Sequence, residues 1–151
     1  MEIRKVLWPT DFSSSAGAAL SYVQSLSQKY GAEVHVVHVL EDIVHHEGWY
    51  GEFEESHIRG LMEKAGKRAK ERLDQICEKH LDGCPLYIKH VAVGDPAKEI
   101  LKLIDSEKVD LVVMATRGKS DSFAFGSVAE KVTKNSPVPV TTVPIEETEA
   151  A

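Results

Sequence analysis

Asp110-Leu111-Val112-Val113-Met114-Ala115-Thr116-Arg117-Gly118-Lys119-Ser120-Asp121, continuing to Phe125-Gly126-Ser127-Val128-Ala129-Glu130, is the stretch that decides the fold. Four consecutive apolar residues, Leu111 to Met114, bounded by turn formers, predict a strand buried on both faces of a parallel sheet. From Ser127 the apolar spacing becomes helical. Gly118 and Gly126 bracket the connection, which carries Arg117 and Lys119. A strand, a glycine loop and a helix N-terminus make a place where backbone N–H groups converge on an anion, and phosphate is the natural candidate. Ser127 also reads as an N-cap, with Glu130 three residues on completing a capping box, and that role is compatible with a phosphate on the neighbouring amides. Gly118 reads equally as a turn glycine or as one that lets a ligand approach the backbone.

The same grammar repeats on either side of this stretch. Val6-Leu7-Trp8 is a short strand that Pro9 closes, because proline cannot donate to a ladder. Thr10 to Ser15 is a cluster of turn and cap residues, and Ala16, Ala19, Leu20, Val23, Leu26 and Tyr30 then recur at helical spacing until Gly31. Val34 to Leu40 is a second strand, whose His35 and His38 are three apart and therefore point to opposite faces. Residues 41–55 have no period and read as a surface loop, with Trp49 and Tyr50 packing down or covering a pocket. Its His45 and His46, with His57, lack a fixed metal-ligand spacing.

One long amphipathic helix is predicted from His57 to Leu81, with Cys77 on its apolar face. Its basic residues are interleaved with acidic ones, which describes a solvated face with local ion pairs. Leu86 to Val93 alternates like a strand at a sheet edge. Gly94-Asp95-Pro96 opens a helix, with Asp95 as cap and Pro96 at the first helical position. After the helix of Ser127 to Asn135, the proline-bracketed run Pro137 to Pro144 reads as a last, edge strand. Alternation of strand and helix predicts one α/β domain over 1–145 with a mainly parallel sheet, and 146–151 as an acidic flexible tail.

Bulk composition narrows the function classes. The 151 residues suffice for one core without staples. With 18 basic against 24 acidic residues the chain is acidic, which argues against a general nucleic-acid-binding role. Apolar runs are far shorter than a membrane span, and Met1 to Lys5 has no signal-like hydrophobic region, so a cytoplasmic location is the expectation. Cys77 and Cys84 offer neither a disulfide framework nor a zinc pattern.

In sheets of this kind a ligand sits beyond the carboxyl ends of strands where their order reverses. If the first and fourth strands are neighbours, Pro9-Thr10-Asp11 and Ala115 to Gly118 meet there. Asp11 then accepts hydrogen bonds from a ribose or a base amine, or serves as a helix cap.

Val6-Leu7-Trp8-Pro9-Thr10-Asp11-Phe12-Ser13, His38-Val39, Gly94-Asp95-Pro96, Val109 to Met114, Gly126 to Val132 and Ser136-Pro137-Val138-Pro139-Val140, in this order over nearly the whole chain, resemble the universal stress protein family. The resemblance implies a doubly wound five-stranded parallel sheet of order 3-2-1-4-5 with helices on both faces. It also implies a stress-response homodimer paired through the last strand (Val138, Val140, Thr142), with further protein partners unspecified.

One branch of that family binds ATP through Gly, two residues, Gly, nine residues, then Gly and Ser or Thr. Here Ala115 stands at the first glycine, Gly118 matches the second, Gly126-Ser127 match the last pair, and seven residues separate Gly118 from Gly126. Ala115 adds a methyl and resists positive φ, and the shorter loop has less chain to wrap a triphosphate. Arg117 and Lys119 offer compensating charge-assisted contacts. Carried over by position, the nucleotide contacts are Pro9, Thr10, Asp11, Val39, Met114, Gly118, Gly126, Ser127 and Val128. The ligand implied is ATP or AMP, with Mg accompanying it. Three functional readings follow: a nucleotide-dependent regulatory dimer, a dimeric interaction module without nucleotide, and a weak ATP hydrolase. For the last, only Asp11 and Asp121 offer metal-binding carboxylates near the loop, and no general base is evident.

Overall fold

Val6, Leu7 and Trp8 are consecutive and all buried, yet they enter two different cores. A strand sends successive side chains to opposite faces, so a sheet covered on both sides needs apolar residues at adjacent positions. The computed structural model describes residues 2–41, 55–81, 86–116 and 126–144. Among them the elements are β1 (Lys5–Pro9), α1 (Ser14–Ala18), α2 (Leu20–Tyr30), β2 (Glu33–Leu40), α3 (Glu55–His80), β3 (Tyr87–Val93), α4 (Pro96–Ser106), β4 (Leu111–Ala115), α5 (Ser127–Asn135) and β5 (Val140–Val143).

The strands pair in parallel in the order β3-β2-β1-β4-β5, the expected doubly wound sheet. On one face Val6, Trp8, Val34, Val36 and Val113 pack with Val23 of α2 and with Leu73 and Cys77 of α3. On the other, Leu7, Val37, Val112 and Met114 pack with Ile100 and Ile104 of α4 and with Ala129 and Val132 of α5. β4 is buried at every residue, whereas β3, at the sheet edge, is half-buried. No helix of the described residues is long and apolar enough to cross a membrane.

Local rules account for most boundaries. Asp95 accepts a hydrogen bond from the Lys98 amide at 3.1 Å and Pro96 opens α4. Gly31 ends α2 in the left-handed conformation, φ 63°. The single helix expected from Ala16 to Tyr30 is instead two, because the Ala19 amide bonds the Ala16 carbonyl in a tighter turn. Ala19 keeps right-handed helical angles, so the apolar stripe continues across the break. β1 includes Pro9 as its last residue, a position that proline tolerates.

The two histidines of β2 face opposite ways, as their spacing requires. His35 is fully buried; its Nε2 lies 2.6 Å from Glu33 Oε1 and its Nδ1 lies 2.9 Å from His90 Nε2 on β3. His38 turns to the other face. At the start of the β1–β4 seam, Asp110 Oδ2 accepts from the amides of Arg4 and Lys5 at 2.9 and 3.0 Å, and its own N–H donates to the Lys5 carbonyl. The loop of 42–54 with His45, His46, Trp49 and Tyr50, Cys84, and the tail 146–151 lie outside the described residues.

Candidate functional site

Because all the strands run parallel, every strand-to-helix connection leaves from the same, carboxyl edge of the sheet. β1 is followed by helices on one face and β4 by α5 on the other, and the two strands are neighbours. A crevice opens between connections that depart in opposite directions. It is a cleft of about 620 Å³, walled by the ends of β1, β2 and β4 and the N-terminal residues of α4 and α5. Volumes of this order suit small-molecule ligands.

Pro9, Thr10, Asp11, Val39, Met114, Gly126, Ser127 and Val128 all line this cleft, so segments from both ends of the chain meet as the sequence predicts. Arg117, Gly118, Lys119 and Asp121 lie outside the described residues. Sequence reasoning missed the wall supplied by α4, where Pro96 and Ile100 line the cleft. The signal was present: a helix opened by Gly94-Asp95-Pro96 after a parallel strand must begin at this same edge.

The β1 end is held by its own polar groups. The Thr10 amide continues the ladder to the Val37 carbonyl at 2.9 Å, and buried Thr10 accepts the Phe12 amide on Oγ1 at 3.0 Å. Asp11 Oδ1 accepts the Ser13 amide at 2.9 Å, an Asx turn, while Ser13 caps α1 by accepting the Ala16 amide. Asp11 is therefore not the helix cap.

The α5 end differs from the expectation. Gly126 is the N-cap, with φ −55° and ψ 139°, and Ser127 is the first helical residue. The chain enters the helix one residue earlier than a Ser127 cap requires, because the Gly126 amide is bound to the Thr116 carbonyl at 2.6 Å. That bond ties together the two ends of the glycine loop and uses the Gly126 N–H. Among the described residues no side chain caps α5, and Glu130, instead of closing a capping box, bonds Lys134 at 2.7 Å. This hydrogen bond and the lysine charge hold the Glu130 carboxyl below its ordinary value. The first helical amides, those of Ser127 and Val128, have no intrahelical partner and stand at the positive end of the helix in the wall of the cleft.

Ala115 ends β4 in register with Val143. Apart from glycines, only Phe12 and Lys108 have positive φ among the described residues, so Ala115 adopts ordinary strand angles and the expected resistance to positive φ does not arise.

The model of the universal stress protein family matches residues 2–144. The chain belongs to the universal stress protein family. It is 31% identical over 153 residues to universal stress protein MJ0577 of Methanocaldococcus jannaschii, covering 93% of this chain and 94% of that one. The solved structure of MJ0577 matches with a TM-score of 0.85 at 29% identity, over 98% of this chain and all of the other. A universal stress protein from Archaeoglobus fulgidus, solved in complex with dAMP, matches with a TM-score of 0.64 at 22% identity over 93% and 96% of the two chains. Another, solved in complex with cAMP, matches with a TM-score of 0.62 at 19% identity over 95% and 98%. At the latter two identities the likeness is one of fold.

Proposed function

We propose that this universal stress protein is a regulatory nucleotide-binding protein whose cleft takes an adenine nucleotide, AMP or ATP. The carrying observation is the assembly of Pro9-Thr10-Asp11, Val39, Met114 and Gly126-Ser127-Val128 around one cleft of about 620 Å³. Each wall has chemistry suited to one part of the ligand. Val39 and Met114 offer apolar surface and strand backbone to a base. The Asp11 carboxylate accepts from ribose hydroxyls or a base amine, and the uncapped start of α5 receives phosphate. Relatives of the same fold solved with dAMP and cAMP support the adenine class. Equilibrium dialysis of the full chain with labelled ATP and AMP tests the reading. Affinity no tighter than millimolar for both would discard it.

The reading includes a homodimer paired through β5. Its support is the position of β5 at the sheet edge, where main-chain groups are open to a second strand, together with the prolines that bound it. Val138 and Val140 pack inward against the second core, so the pairing runs through backbone, with Thr142 beside it. Sedimentation velocity is the check, and a monomer throughout the micromolar range argues against the dimer.

A further inference from the structure

Phe12 has φ 65°, the left-handed region that residues with a side chain adopt rarely and at a cost. Such a residue stays there only when its surroundings hold it. The His38 ring packs against it, centroids 4.3 Å apart and planes tilted by 34°, and the Arg72 guanidinium carbon of α3 stands 4.2 Å from the ring centroid. His38 also reaches the end of β1, with Nδ1 2.9 Å from the Thr10 carbonyl oxygen; a carbonyl only accepts, so Nδ1 carries the proton. Thr10 is thus tied to β2 through both backbone groups, its N–H to Val37 and its carbonyl to His38. The bond to Val37 fixes the Pro9–Thr10 peptide, and the bond from His38 opposes rotation of the Thr10–Asp11 peptide that follows. Beyond it, the Phe12 amide returns to Thr10 Oγ1 and the Ser13 amide to Asp11 Oδ1, so the direction of the Asp11 carboxylate follows from the orientation of that peptide.

We propose that His38 is the positioning residue of the cleft. Its Nδ1–H and its ring, with Arg72 against Phe12, hold the Thr10–Asp11 segment in the conformation that meets a ligand. The proposal rests on the nucleotide reading for what the segment touches, and on the geometry alone for how the segment is held.

Two variants separate the hydrogen bond from the ring contact. His38→Asn places an amide N–H where Nδ1 stood and removes the ring; His38→Phe keeps a ring and removes the donor. Three quantities are read on the full chain: hydrogen exchange at the Phe12 and Ser13 amides without ligand, affinity for AMP, and affinity for pyrophosphate. In His38→Phe the two amides should exchange about three- to tenfold faster and AMP should bind more weakly by a similar factor, the worth of one such bond. Pyrophosphate, directed to the α5 end, should be unaffected, and His38→Asn should restore both exchange and AMP binding in part. Unchanged exchange in His38→Phe overturns the proposal, as does faster exchange with unchanged AMP affinity. Equal losses of AMP and pyrophosphate overturn it too, since they mean general distortion. Phe12→Gly, which relieves the left-handed strain, guards against a His38 variant that fails to fold; it should bind AMP more weakly, and full AMP affinity refutes the role of the ring. If wild-type protein binds neither AMP nor ATP, the nucleotide reading falls by itself, and the exchange measurement alone decides whether His38 holds the turn.

Discussion

Replacing Asp110 by Ala tests whether the seam beneath the cleft is held as the structure indicates. One carboxylate oxygen of Asp110 accepts from the amides of Arg4 and Lys5, at 2.9 and 3.0 Å, where β1 begins. The β1–β4 ladder that follows joins only Val6 to Leu111 and Leu7 to Val112, so this bridge is a large part of what sets the two strands against each other. Hydrogen bonds to a charged group contribute about 1.5–3 kcal/mol each when well buried. The Arg4 amide lies where water can replace the lost acceptor, and the Lys5 amide is only partly buried. Together they give a loss of about 1–2 kcal/mol for Asp110→Ala. For a chain of this size that corresponds to a thermal midpoint lower by about 3–8 °C. Asp110→Asn keeps an acceptor oxygen and should lose about half as much. AMP affinity should change less than about twofold in either, because Asp110 stands at the opposite end of the strands from the cleft. Urea unfolding with comparison of midpoints and slopes reads the stability, and calorimetry the binding. Asp110→Ala within about 0.5 kcal/mol of wild type, or Asp110→Asn as damaging as Asp110→Ala, would refute the reasoning.

Leu73→Ala, at a fully buried residue between α3 and the sheet, should cost about 2.7–5 kcal/mol in urea melts; a loss under about 1 kcal/mol would mean that α3 is not packed as described. Burial, and next the neighbouring His35, hold His90 below the ordinary histidine value of 6.5, with Glu107 pulling the other way. The folded protein therefore takes up this proton at lower pH than the unfolded chain, so stability is full above pH 6.5 and is lost as pH falls from there through the folded value. The slope is at most about 1.4 kcal/mol per pH unit, and the partial exposure of the ring keeps it well below that; His90→Phe should flatten melts compared at about pH 7.5 and about pH 5.5, and an unchanged slope counts against the assignment. Ala115→Gly should leave AMP affinity within about twofold of wild type and cost about 0.5–1 kcal/mol of stability; a tenfold tighter complex would show that the methyl obstructs the ligand.

How much of this was legible beforehand depends on the reach of each interaction. The run Leu111 to Met114 announced a strand buried on both faces because the chain itself supplies apolar residues at both parities. Asp95-Pro96 announced the start of α4 because the cap adjoins the helix and its bond reaches only three residues on, to Lys98. The strand order, and with it the adjacency of β1 and β4, came from the family resemblance and not from any spacing. Where the deciding bond comes from far along the chain, local rules chose wrongly. Ser127-Val128-Ala129-Glu130 has the form of a capping box, yet the Gly126 amide is drawn to the Thr116 carbonyl and the cap moves back one residue. The left-handed Phe12 sits among local turn bonds that many sequences form, while Arg72 and His38, which pack on its ring, come from α3 and β2. The pairing of His35 with His90 needs the register of β2 against β3, which periodicity does not contain.

Ala115 is where sequence and structure pull hardest against each other, and parity decides between them. In β4 the side chains of Leu111 and Val113 enter the core beneath α2 and α3, while Val112 and Met114 enter the core of α4 and α5. Continuing that alternation, the Ala115 methyl points to the α2–α3 face, away from α4 and α5, whose N-terminal residues wall the cleft. Ala115, at the strand end, is itself among the residues that line the cleft. With ordinary strand angles and its methyl on the α2–α3 side of the sheet, alanine satisfies what the position demands, so departure from the glycine pattern at this residue does not argue against a nucleotide. The weight of that question passes to the chain between Thr116 and Gly126, whose two ends are already joined by one short backbone hydrogen bond.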